Sequence, residues 1–140
     1  SHFKTGEFRS PLVRSGDGDV LLAFDQSEGI RNLSFLREGG SFVVNVHSRE
    51  ALENGHLLKY LEERKIRMHP VGGYALLKEH MEGNFLFLNV LMLGAMCGSG
   101  VLGMPFEEVA AAVKSLSPER FGEANGRAFR LGFEAISGRK

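Results

Sequence analysis

Cysteine is nearly absent from this chain of 140 residues: Cys97 stands alone. A single thiol closes no internal disulfide, and an iron–sulfur cluster normally takes four thiolates, so the chain by itself holds neither. The run Gly94-Ala-Met-Cys-Gly98 has the small residues of a close helix contact, which reads Cys97 as a small buried hydrophobe and not as a nucleophile. A reducing, cytoplasmic setting is expected. Net charge is missing too, with 17 Lys and Arg against 17 Asp and Glu. That balance offers no dominant field for nucleic acid or an anionic membrane surface.

Long apolar runs are also lacking. The longest, Phe85 to Met96, is interrupted by Asn89 and Gly94 and falls short of the roughly 20 residues a membrane span requires, so it predicts a buried helix. The opening Ser1-His-Phe-Lys-Thr-Gly6 has no apolar stretch of the kind a secretion signal carries. The histidines, at 2, 47, 56, 69 and 80, are scattered, with no His-Glu-x-x-His pair and no zinc spacing, so no metal site is expected. No Gly-x-Ser-x-Gly elbow or P-loop appears, and spacing suggests no acid–base carboxylate pair. Residue by residue, the chain reads as one domain over 1–140 without a complete catalytic set.

What is present is most informative between Asp19 and Asn45. Val20 to Phe24 and Phe42 to Val46 are continuous apolar runs, as in parallel strands buried on both faces. Between them Ile30, Leu33 and Leu36 share one face of a short helix, and Gly39-Gly40 reads as a turn, giving a strand–helix–strand unit. Ligands in such sheets bind beyond the carboxyl ends of the strands, which makes Asp25, Ser27, Glu28 and Asn45 candidate binding residues. Capping of helices or turns by Ser27 and Ser48 accounts for the same polarity.

Elsewhere, His2 to Thr5 and Pro11 to Val13 read as edge strands, Gly55 to Arg64 as a helix and Ile66 to Val71 as a third parallel strand. Tyr74 to His80 predicts a short helix, and Asn84 caps a helix over Phe85 to Cys97. Another helix opens at Pro105, and a last one has Ser117 as its cap and Pro118 at its first position. On that last helix Phe129, Phe133 and Ile136 form a second apolar stripe beside Phe121, Ala124, Ala128, Leu131 and Ala135. Two stripes suggest a partner surface through Phe129 and Phe133, and a helix clasped on two sides explains them equally. The expected class is α/β: a mostly parallel central sheet with flanking helices and a helical C-terminal half.

Four blocks in order carry a resemblance across nearly the whole chain. They are Ser1-His2 with Ser10-Pro11-Leu12 and Asp19-Val-Leu-Leu-Ala23; Glu28 with Leu36-Arg-Glu-Gly-Gly40 and Asn45; Gly83-Asn84 with Asn89-Val-Leu-Met-Leu-Gly-Ala95; and Pro118, Phe121, Asn125 and Ala128-Phe129. Together they resemble the gamma component of 2-oxoacid:ferredoxin oxidoreductases, within the pyruvate/ketoisovalerate oxidoreductase catalytic-domain family, and most closely the indolepyruvate oxidoreductase beta subunit. Members carry a further strand and glycine-rich turn ahead of the Ser-His strand, which this sequence lacks, so a truncated domain is expected. Val71-Gly-Gly-Tyr74 also departs from the family's small polar run.

The resemblance implies a Rossmann-like three-layer sandwich and a noncatalytic part in oxidative decarboxylation of a 2-oxoacid, an arylpyruvate by the nearest branch, to an acyl-CoA. It places thiamine diphosphate and iron–sulfur clusters on a partner subunit, coenzyme A in the full complex and ferredoxin as an indirect partner. The isolated chain is then expected to be inactive and to bind no cofactor alone. Two other readings stand beside it: a freestanding nucleotide- or CoA-binding module using Asp25, Glu28 and Asn45, and a scaffold that forms a homodimer through its terminal helices.

Overall fold

A computed structural model of the chain describes residues 3–4, 7–8, 18–47 and 52–138. The chain divides into two compact units, Ser1–Pro70 and Val71–Lys140. The architecture is α/β, with a five-stranded sheet ordered β2-β1-β3-β4-β5. Its strands are β1 (Phe3–Lys4), β2 (Glu7–Phe8), β3 (Gly18–Ala23), β4 (Leu36–Asn45) and β5 (Arg67–Val71). The last three are parallel, and β1 pairs antiparallel with both β2 and β3. Strand β1 lies within the predicted strand His2 to Thr5 but pairs on both sides, so β2 is the edge on that side, and the predicted strand Pro11 to Val13 lies outside the described residues.

In the sheet unit, Leu21 to Ala23 and Phe42 to Val44 are all at most 2 % exposed. Because successive side chains alternate between faces, both faces of β3 and β4 are buried, as the unbroken apolar runs predict. The helix between them, α1 (Gln26–Arg31), is short and passes through a 3-10 turn at Leu33–Phe35. Gly29 lets it lie flat: a methyl there would stand 2.7 Å from the Ala23 Cβ and 2.9 Å from the Phe42 ring.

The double glycine is not a turn before β4 but a bulge within it. Two steps along β3, from Gly18 to Val20, match five along β4, from Leu36 to Ser41. Gly39 takes φ +81, a region open to glycine, and its N–H donates to the Arg64 carbonyl at 2.8 Å. The Arg64 guanidinium donates back to the Leu36 carbonyl at 2.9 Å, so one residue at the end of α2 (Gly55–Glu63) secures both sides of the bulge. Helix α2 is capped by Asn54, whose Oδ1 accepts the His56 and Leu57 N–H groups at 2.8 and 3.3 Å, and it buries Leu57 and Leu61.

The second unit is helical: α3 (Gly73–His80), α4 (Leu88–Gly98), α5 (Phe106–Leu116) and α6 (Gly122–Ser137). Asn84 caps as expected, accepting the Leu86 N–H at 3.1 Å, but it opens a 3-10 turn at Phe85–Phe87 that precedes α4. Helices α4 and α6 cross at backbone contact. A methyl on Gly94 would fall on the Phe129 carbonyl oxygen, and one on Gly132 would fall on that of Leu91. The close helix contact read from Gly94 to Gly98 is therefore real.

One predicted boundary moves. Ser117 ends α5 rather than starting α6: its hydroxyl donates to the Val113 carbonyl at 2.6 Å and accepts from Asn125 Nδ2 at 2.8 Å. Pro118 leads into a 3-10 turn at Glu119–Phe121, and the α-helix proper begins at Gly122. The same Ser-Pro pair serves either end of a helix, because the serine hydroxyl can accept an N–H or donate to a carbonyl.

Candidate functional site

The ends of β3 and β4 bring together the residues singled out there. Asp25 caps α1, accepting the Glu28 N–H at 3.0 Å. Its carboxyl is held below the usual carboxylate range chiefly by that N–H; desolvation, the next effect, opposes it, and the Ser27 N–H and the charges of His47 and Arg31 add smaller help. Such a carboxylate is ionised and engaged as an acceptor, not poised to exchange a proton. Ser27 and Glu28 are exposed on the first turn of α1, and the capping role that sequence gave to Ser27 belongs to Asp25. Ser48 lies outside the described residues.

Asn45 is fully buried, and its Nδ2 donates to the Phe24 carbonyl at 3.2 Å. It ties the carboxyl end of β4 to that of β3. Gln26, which sequence reasoning passed over, does the same two residues further on. It is 2 % exposed and its Oε1 accepts the His47 N–H at 2.7 Å. Nothing in the pattern marks Gln26 as buried, because a polar residue in the first turn of a short helix is ordinarily solvated. Gln26→Leu keeps the volume but strands the His47 N–H, so a loss of about 1–3 kcal/mol in stability is expected. Urea denaturation with amide exchange at His47 measures it; an unchanged exchange rate at His47 would show that the bond does not hold the strand ends.

A cleft of this unit lies elsewhere among the described residues. It encloses about 460 Å³ between α1 with its following turn and α2, with Ile30, Leu33 and Leu57 as apolar lining and Arg31, His56 and Tyr60 among the polar groups. Asp25, Ser27, Glu28 and Asn45 do not line it. Asp25, Gln26 and Asn45 are thus engaged in structure at the strand ends, while this cleft, with space for a small molecule, lies between the helices. Among the described residues no group of three or more His, Cys, Asp or Glu is placed to hold a metal ion.

In the helical unit Phe129 is fully buried, packed with Cys97 and Val109 and with the Phe106 ring 5.4 Å away. The interface role read for it gives way to a core role, since a side chain without exposed surface has none to offer a partner. Phe133 is half-buried beside Phe106, ring to ring at 4.7 Å. Cys97 is 5 % exposed, and desolvation raises its thiol pKa, which disfavours the nucleophilic thiolate. No helix among the described residues is long and apolar enough to cross a membrane.

The pyruvate ferredoxin/flavodoxin oxidoreductase family matches residues 2–135. The chain belongs to that family. Among its relatives, indolepyruvate oxidoreductase subunit IorB of Archaeoglobus fulgidus is 24% identical over 149 residues, covering 99% of this chain and 73% of the relative. IorB of Methanothermobacter thermautotrophicus is 27% identical over 151 residues, covering 98% and 74%. That of Thermococcus kodakarensis is 29% identical over 133 residues, covering 89% and 66%. The crystal structure of the keto/oxoacid ferredoxin oxidoreductase gamma subunit from Geobacter sulfurreducens superimposes with a TM-score of 0.64 at 26% identity, over 99% of this chain and 79% of that one. Family membership explains why the four sequence blocks run in order through both units.

Proposed function

We propose that the chain is the noncatalytic component of a thiamine-diphosphate-dependent 2-oxoacid:ferredoxin oxidoreductase acting on an arylpyruvate such as indolepyruvate. The assembly breaks the bond between the carboxylate and the 2-oxo carbon, releases carbon dioxide, joins the acyl group to the coenzyme A sulfur and passes an electron pair to ferredoxin. The observation that carries this reading is the family match over residues 2–135, together with relatives named as subunits that align with nearly the whole chain.

The residues of this chain do not fit an iron–sulfur cluster, because the single cysteine is buried with its thiol pKa raised. The clusters therefore belong to a partner subunit in this reading, which also places thiamine diphosphate there and the assembly in the cytoplasm. Bound there, thiamine diphosphate supplies the stabilisation of the acyl carbanion. This chain's own part is to shape the assembly. Purification from the native source is expected to recover it with a thiamine enzyme that reduces ferredoxin in the presence of indolepyruvate. Recovery as a lone monomer would count decisively against the proposal.

A second reading, a freestanding nucleotide- or CoA-binding module, draws on the cleft between α1 and α2. Calorimetric titration of the isolated chain with coenzyme A and with nucleotides separates the two. Tight binding without any partner supports the second.

A further inference from the structure

The cleft between α1 and α2 has a floor and a rim of different character. Leu33 and Leu57 are buried at its base, and Ile30 and Tyr60 are half-buried against the same core. Arg31, Asn54 and His56 are exposed around it. A molecule seated there meets apolar groups within and hydrogen-bond donors at the mouth, the usual division in a small-molecule site.

The rim has one sign of charge. Among the described residues that line the cleft there is no Asp or Glu, while Arg31 carries a permanent positive charge. Arg31 is not committed to Asp25, on whose carboxyl its charge is the weakest of the influences. Asn54 uses Oδ1 to accept the His56 and Leu57 N–H groups, which leaves its Nδ2 as a donor, and the first turn of α2 adds the positive end of a helix. The complement of this rim is an anion, and a guanidinium matches a carboxylate with two parallel bonds. The amount of charge is small: one guanidinium and a histidine suit a single negative charge and do not match the several charges of a nucleotide or of coenzyme A. At about 460 Å³ the cleft is toward the lower end of the roughly 300–1,000 Å³ of small-molecule sites. The Tyr60 ring favours an aromatic body over an aliphatic one of equal area.

We propose that this cleft binds a small aromatic monocarboxylate, with the ring among Leu33, Leu57 and Tyr60 and the carboxylate on Arg31. The site goes beyond the reading of the chain as an oxidoreductase component and stands independently of it. Titration of the full chain with phenylacetate and with indole-3-acetate tests it, followed by calorimetry and by the amide NMR shifts of residues 30–34 and 54–60. Saturable binding with a Kd of about 1 mM or tighter is expected, in keeping with about ten heavy atoms. Phenylacetamide, with the same body and no charge, and acetate, with the same charge and no body, should each bind about 10-fold more weakly or worse. Arg31→Gln should bring phenylacetate down to the level of phenylacetamide, a selective loss that general unfolding does not produce. Tyr60→Leu should narrow the preference for phenylacetate over cyclohexylacetate, which reads the ring contact apart from the charge.

Absence of a saturable shift with either acid up to about 10 mM overturns the proposal. Equal binding of acid and amide, or an unchanged affinity in Arg31→Gln, overturns it as well. Tighter binding of coenzyme A or AMP at the same residues overturns it in favour of the nucleotide-binding module. A chain that joins no thiamine enzyme yet binds the aryl acids sinks the component reading and leaves this site standing.

Discussion

Replacing Gly94 or Gly132 with alanine is expected to cost about 3 kcal/mol or more, at or beyond the upper end of the usual overpacking range. In each case the new methyl falls on a backbone carbonyl oxygen of the opposing helix, Phe129 for Gly94 and Leu91 for Gly132. A side chain could rotate away, but a carbonyl inside a helix cannot, so the helices themselves must separate. That separation strips contact from Leu91, Met92, Ala95 and Phe129, all fully buried. The gain of roughly 1 kcal/mol in helix propensity from glycine to alanine does not offset it.

Two further variants sharpen the measurement. Gly126→Ala, in the same helix α6 with nothing within 4 Å of the new methyl, should stabilise by about 0.5–1 kcal/mol. The double variant Gly94→Ala with Gly132→Ala should lose less than the sum of the singles, because both methyls are admitted by one separation of the helices. Urea denaturation of the four proteins checks this. Additive losses would show that the two glycines do not share one crossing.

The other large effect belongs to Phe129. Phe129→Ala should lose about 3–5 kcal/mol, the range for emptying a buried phenylalanine site. Its ring fills the space among Cys97, Val109 and Phe106, so the cavity opens beside the thiol. Cys97 should then react faster with a thiol reagent, a second readout independent of denaturation. If the substitution costs less than about 1 kcal/mol and instead changes the oligomeric state, Phe129 is an interface residue and the packing described for it is wrong.

Much of the sheet unit was legible because its signals are local. Unbroken apolar runs at Leu21 to Ala23 and Phe42 to Val44 require burial on both faces, and the helix expected over Gly55 to Arg64 is α2 (Gly55–Glu63). The Gly39-Gly40 pair was misread as a turn, because glycine permits the same φ in a turn and in a bulge. Only the register between β3 and β4 distinguishes them. At the candidate site Asp25 and Asn45 were singled out for polarity at strand ends, and both proved to be engaged in holding those ends. Gln26 was missed because its partner, the His47 N–H, lies 21 residues away.

The aromatic residues show the same division more sharply. Spacing alone put Phe129 and Phe133 on a second stripe of the last helix, which a partner surface and a helix clasped on two sides explained equally. Phe85 and Leu86 sat inside the longest apolar run and read as core. The structure decides for the clasped helix at Phe129, over which α5 closes, and places Phe85 and Leu86 outside the core on a capped 3-10 turn.

From its sequence alone this protein shows its family, its α/β class and the inability of its single cysteine to ligate an iron–sulfur cluster, all properties of residue types and their order. Which glycines are indispensable, which polar groups are engaged at the strand ends and which aromatic residues face water were decided by the tertiary structure. Those depend on what residues distant in the chain leave room for, and a pattern read along one segment contains no record of its neighbour.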